Sequence, residues 1–331
     1  MKINKLSIPV NYSVNNYFNN RLNKFERTPN TDVVSFSAAK PKQRRLKPRV
    51  QTAVDFSQRI IEKAEKGYIT LEDVFDASSK YINGITVYPM SKLKEEIPDA
   101  ENYSAYFFAG LGKDFKPSSE EIFVSLPQPN CDKTELLLFA MNSAHEFTHV
   151  EQMETLESFN QLKAMSKGDY DYANAIMSIG DGIFSSFDTT IQAYTLKPIM
   201  DKCVDVSKLR KYGGIVPQSA NIDRKILPLV FGTNSETEMQ AELRKIFDSL
   251  FEKTMKQIEQ NQPEILDMFP SNESREALKK KIKAYCAQKA LDERESYTTE
   301  AEVARKFLNT DSTLNVDAFT MYYDILAKSF G

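Results

Sequence analysis

Asn142-Ser-Ala-His-Glu-Phe-Thr-His-Val-Glu-Gln152 is the stretch on which the reading of this chain turns. The chain has two histidines, His145 and His149, and both stand here with Glu146 between them. On a helix, residues four apart lie one above the other, so the pair presents two ring nitrogens to one point. Neutral imidazole nitrogens and carboxylate oxygens are what Zn2+ takes, and a catalytic site keeps one position for water. Glu146, about 100° round the helix, stands near enough to take a proton from that water. Leu136, Phe139, Ala140, Ser143, Phe147 and Val150 fall on the opposite face, so the helix buries its back and turns the histidines into a cleft.

Working outward, the helical pattern holding the pair runs from about Asp132 to about Glu157. Upstream stand three short β-like runs, Gly84–Tyr88, Tyr103–Ala109 and Glu121–Leu126, separated by Gly, Pro, Asp and Ser clusters of turn type. Before them, Val54, Ile60, Ile61 and Ala64 recur at helical spacing, and Thr70-x-x-Asp73 opens a second helix in a pattern close to a capping box. Downstream the patterns are helical: Tyr170–Met200, Ser235–Gln260 with Ser235-x-x-Glu238 as its cap, Ser274–Leu308 and Val316–Phe330. A small mixed sheet with one active-site helix, followed by a mostly helical C-terminal half, predicts an α+β fold. The expected organisation is a disordered tail over 1–49, a catalytic half over 50–165 and a helical half over 166–331.

The tail reading rests on composition. Asn15, Asn16, Asn19, Asn20 and Asn23 crowd a stretch without apolar periodicity, which closes on the basic run Ala39–Arg49. Such a segment buries too little apolar surface to offset its ordering entropy. A chain beginning at Val50 is therefore expected to keep its stability. With Lys+Arg 43 against Asp+Glu 46, the net charge of -3 argues against nucleic acid or an anionic membrane as main partner. No stretch reaches the roughly 20 apolar residues of a membrane span, and Met1–Tyr17 lacks the apolar core of a secretory signal. The expectation is a cytoplasmic protein, with non-classical export left open. Cys131, Cys203 and Cys286 are odd in number and widely spaced, which reads as free thiols rather than a disulfide or zinc-thiolate framework.

Asn142–Gln152 resembles the active-site helix of HExxH zinc metallopeptidases, the zincins, and is similar to bacterial members that place Gln three residues after the second His, as Gln152 does. No Gly or third His follows, unlike the metzincin pattern, so the resemblance is to gluzincins, whose third ligand is a Glu on a later helix. That helix reads ExxSD or ExxAD in related members. Leu291–Ala304 resembles it from Glu293, with Ser296 as the small residue and Tyr297 where the family has Asp. At helical spacing Ile282, Cys286, Ala290, Glu293, Tyr297, Ala301, Ala304 and Leu308 share one stripe. Glu300 lies on the same stripe and is the alternative ligand; Glu295 and Glu302 point away, toward solvent. Tyr297 could bond a ligand or stabilise an oxyanion.

The resemblance implies a zinc-dependent metallopeptidase with one Zn2+ per chain, His145, His149 and Glu293 as ligands, and Glu146 as general base. Zincins line their cleft with an edge strand, a place filled here by Glu121–Leu126, which an extended peptide could join through main-chain hydrogen bonds. A peptide or protein substrate follows, cut internally rather than from an end. The alternative is a non-catalytic scaffold that binds a partner; Glu146 favours the enzyme, because a purely structural metal site needs no base. Other patterns carry less. Asp169-Tyr-Asp171 and Asp181-Gly182 lack the ligand spacing of a calcium loop. Gly110-Leu-Gly112 is too short for a phosphate loop, and Ser143 has no flanking glycines of a nucleophile elbow.

Overall fold

The computed structural model describes residues 47–64, 68–80, 85–94, 105–129, 131, 133–154, 157–188, 217–218, 231–308, 313–314 and 317–331. The tail up to residue 46, residues 189–200 of the expected long helix, and Cys203 lie outside them. The architecture is α+β, with the strands early and the helices late. Helix α1 (Pro48–Ala64) and α2 (Leu71–Ser78) precede strand β1 (Thr86–Pro89), the short helix α3 (Met90–Lys94), and strands β2 (Ala105–Leu111) and β3 (Pro117–Val124). Then come α4 (Lys133–Glu154), α5 (Glu157–Ser166) and α6 (Tyr170–Asp188). After the two-residue β4 (Pro217–Gln218) follow α7 (Glu236–Asn261), α8 (Pro263–Leu266), α9 (Asn272–Leu308), β5 (Thr313–Leu314) and α10 (Asp317–Phe330).

Local signals explain most of these starts. Thr70 caps α2 as a complete box: its hydroxyl accepts from the Asp73 N–H, and the Asp73 carboxylate accepts from the Thr70 N–H. Ser235 accepts from the Glu238 N–H at the head of α7. Five elements had no place in the sequence reading: the short helices α3, α5 and α8 and the two-residue strands β4 and β5.

The sheet runs β1-β3-β2, with β1 parallel and β2 antiparallel to β3. This corrects the expected cleft strand. Residues 121–124 belong to β3, which pairs on both sides, with Thr86 and Phe108 both opposite Glu121. Among the described residues β1 and β2 each pair on one side alone. Alternating apolar residues look alike in a central and an edge strand, so strand order had to come from the fold.

Helix α1 serves two cores at once. Ala53, Phe56 and Ile60 pack with Phe139, Phe147 and Val150 of α4 and with Ile122 and Val124 of β3. Val50 and Val54 pack with Ala140, Met141 and Ala144 of α4 and with Ala301 and Val303 of α9. The rings of Phe56 and Phe147 stack at 4.4 Å and 8°. Helix α4 is thus covered on most sides, which is why its sequence lacks a strong polar face. A larger core joins α6, α7, α9 and α10 around Phe187, Phe247, Tyr322 and Tyr323. No helix among the described residues is long and apolar enough to cross a membrane.

Candidate metal centre

Two helices carry the centre. From α4, His145 and His149 stand one turn apart with their Nε2 atoms 3.3 Å from each other. From α9, Glu293 places Oε2 3.2 Å from His145 Nε2 and Oε1 3.4 Å from His149 Nε2. These three are the one group of His, Cys, Asp and Glu among the described residues whose atoms converge tightly enough to hold a metal ion. The spacing passes a simple test. Ligand bonds of about 2.0–2.1 Å in a tetrahedron put neighbouring ligand atoms about 3.3 Å apart. The donor set, two imidazoles and one carboxylate, is one that Zn2+ can take. Long as the gap from His149 to Glu293 is, α9 crosses from the helical core onto α4 and α1 and brings the glutamate back.

Glu300, the alternative ligand, lies elsewhere. Its Oε1 is 2.7 Å from His145 Nδ1, on the far side of that ring, without hydrogen-bond alignment. The edge of the Tyr297 ring meets the His145 ring at 4.7 Å, and Tyr297 in turn stacks on Phe319 and Tyr323. Tyr297 is therefore an aromatic wall against His145. Behind His149, Gln152 Oε1 lies 2.9 Å from Nδ1, while Gln152 Nε2 donates to the Asp292 carbonyl at 3.0 Å. Ser296 Oγ stands 3.5 Å from the same Nδ1 and donates to the same carbonyl at 3.2 Å. Thr148 and Thr299 join the two helices by a buried hydroxyl–hydroxyl bond of 3.0 Å. Small residues at 296 and 299 let α9 come this close to α4.

Glu146 is not among the converging atoms. Its Oε2 accepts from the Phe107 N–H of β2 at 2.7 Å. In an antiparallel ladder a residue sends its N–H and C=O to the same side, so this bond places Glu146 against the side of β2 that no described strand pairs. Burial raises the Glu146 pKa, and the nearby His145 and His149 only partly offset that. Burial disfavours the charged form of His145, but Glu293 and Glu300 outweigh it and hold its pKa well above the usual histidine value. His149 is raised in the same way, burial being overcome by Glu293. Burial works against Glu293 as an anion, yet His149 and His145 hold it well below the usual carboxylate range.

Two expectations on α9 are corrected. Glu295 points away from the histidines, as helical spacing requires, but not into solvent: it is buried, with Arg49 Nε at 2.7 Å and Lys47 Nζ at 3.6 Å. Glu302 is half-buried and paired with Arg305 at 3.0 Å. Periodicity gives a direction, not what waits there, and here α1 covers that face. The basic run at the end of the expected tail is thus partly structural, since Lys47 and Arg49 stand on α9. Cys286 is a free thiol, and burial raises it far above its ordinary pKa, which leaves it inert.

The sequence reading missed the contacts behind the ligands: the Gln152 bridge and the Phe107 amide. Gln152 had a signal, because three residues past His149 is one helical turn on the same face. The Phe107 amide had none, since a main-chain donor is invisible in residue identities. Compared with protein-family models, curated proteins and solved structures, the chain matches none.

Proposed function

We propose that this chain is a zinc-dependent metallopeptidase of zincin-like, gluzincin-like design. The observation that carries the proposal is the convergence of His145 Nε2, His149 Nε2 and the Glu293 carboxylate within 3.2–3.4 Å of one another, with Glu146 beside them but outside the set. A zinc ion held by these three supplies Lewis-acid polarisation of a carbonyl and lowers the pKa of a water molecule. The remaining work belongs to the chain. Glu146, its pKa raised by burial, accepts a proton from water and returns it to the leaving amine. Tyr297 and Gln152 hold the two imidazoles in place.

The side of β2 that no described strand pairs, and on which the Phe107 N–H meets Glu146, supports a peptide as substrate. An extended chain adds there through main-chain hydrogen bonds, and it does so by its interior rather than its ends, which favours internal cleavage. The test uses the full chain, loaded with zinc and incubated with a peptide library derived from a whole proteome. New termini should appear with the wild type and vanish with His149→Ala. A wild type that takes up no zinc, or termini that persist with His149→Ala, contradicts the proposal.

A further inference from the structure

We infer that Gln152 is a positioning residue that ties the tautomer of His149 to the placement of Glu293. The inference rests on the metal centre proposed above and adds the device that assembles it. Its logic needs no assumption about which way the amide is turned. The Asp292 carbonyl can only accept, so the Gln152 NH2 group must face it, at 3.0 Å. The amide oxygen then faces His149 Nδ1 at 2.9 Å, and because that oxygen also only accepts, Nδ1 must carry the proton. In the neutral ring, the form that binds a metal, the lone pair of His149 is then on Nε2, the atom that points at His145 and Glu293.

The same amide reaches the other helix. Asp292 is the residue before Glu293, so one side chain runs from the second histidine of α4 to the backbone that carries the third carboxylate. A slide of α9 along α4 would break the Gln152–Asp292 bond before it moved Glu293 far. Gln152 is buried, and so is Ser296, which donates to the same carbonyl. The Asp292 side chain is anchored too: it accepts from Gln288 at 2.9 Å and from Ser158 of α5 at 3.3 Å. Losing the amide therefore removes a tie between α4 and α9, and leaves the buried His149 Nδ1 with only the longer contact to Ser296 Oγ at 3.5 Å.

The experiment is a double-mutant cycle on zinc affinity, read by chelator competition with the full chain. Gln152→Met, close in volume but without donor or acceptor, should weaken zinc binding roughly 10–100-fold. In a Glu293→Gln background the same change should cost less than about 3-fold, because the carboxylate it places is already gone. Unchanged affinity in Gln152→Met overturns the inference, and so do losses that multiply in full. If the wild type itself takes no zinc, the metal centre falls first and the inference with it; wild-type binding with an additive cycle removes the inference alone. Should Gln152→Met fail to fold, the zinc-loaded wild type still decides by nitrogen-15 NMR of its two imidazoles. His149 should ligate through Nε2 and show a slowly exchanging Nδ1 proton; ligation through Nδ1 overturns the assignment.

Discussion

Arg49 Nε lies 2.7 Å from Glu295 Oε1, joining the first turn of α1 to α9 two residues past Glu293. The carboxylate is 7% exposed and the guanidinium 21%, so most of the screening that weakens surface pairs is absent on one side only. A chain beginning at Val50 strands Glu295 in a covered place. Removal should cost about 1–3 kcal/mol, below the full penalty for a buried pair because Arg49 is partly solvated. Thermal melting of chains beginning at Lys40 and at Val50 checks this. The shorter one should melt several degrees lower, and Glu295→Gln should recover part of the difference.

Glu293→Gln and Glu295→Gln separate ligand from anchor. The first should weaken zinc binding at least about 10-fold, since a neutral amide is a poor partner beside two imidazoles. The second should leave zinc affinity within about 2-fold of wild type while changing stability. Chelator competition beside melting curves reads both. The reverse ranking contradicts the placement of α9.

Gly180 on α6 faces Tyr285 on α9, and a Cβ built there would meet Tyr285 Cδ1 at 2.4 Å. In an open helix Gly→Ala stabilises by about 1 kcal/mol. Here the sign reverses, because Tyr285 is buried and its hydroxyl donates to Asp181 at 2.7 Å, so the ring has little room to yield. Gly180→Ala should destabilise by about 1–3 kcal/mol in denaturant titration.

Much of the fold and the heart of the site can be read from residues. Val54, Ile60, Ile61 and Ala64 announce α1 by spacing, Thr70 and Asp73 announce α2 by chemistry, and the histidine spacing announces two converging nitrogens. The stripe on α9 offers Glu293 and Glu300 alike, and it is Glu293 that the fold brings to both Nε2 atoms. What the residues do not carry is who lies opposite whom. Glu121–Val124 reads as a strand but not as the central one, because order depends on pairings far along the chain. Glu295 reads as outward, but whether Arg49 or water meets it depends on α1 folding back. The partner of Glu146 is the main-chain N–H of Phe107, and such a group has no signature in any side chain.

Stripping zinc should destabilise the folded chain. Without the cation two imidazoles and a carboxylate face one another in a buried place, and binding to the folded state alone adds about 4 kcal/mol when free zinc is about 1,000-fold above its Kd. Chelation should lower Tm, and zinc but not magnesium should restore it, since magnesium prefers all-oxygen sites. An unchanged Tm would indicate that no metal is linked to folding.

The most direct measurement is Glu146→Gln in the zinc-loaded full chain. Glu146 contacts the Phe107 amide and is not one of the converging ligands, so zinc content should stay near one per chain and Tm should shift little. Cleavage of a mixed peptide library should nevertheless be lost, because an amide cannot accept the proton that makes water a nucleophile. Retained zinc with abolished cleavage is the predicted result; cleavage that survives the substitution, or a zinc-loaded wild type that cuts nothing in the library, would contradict the account.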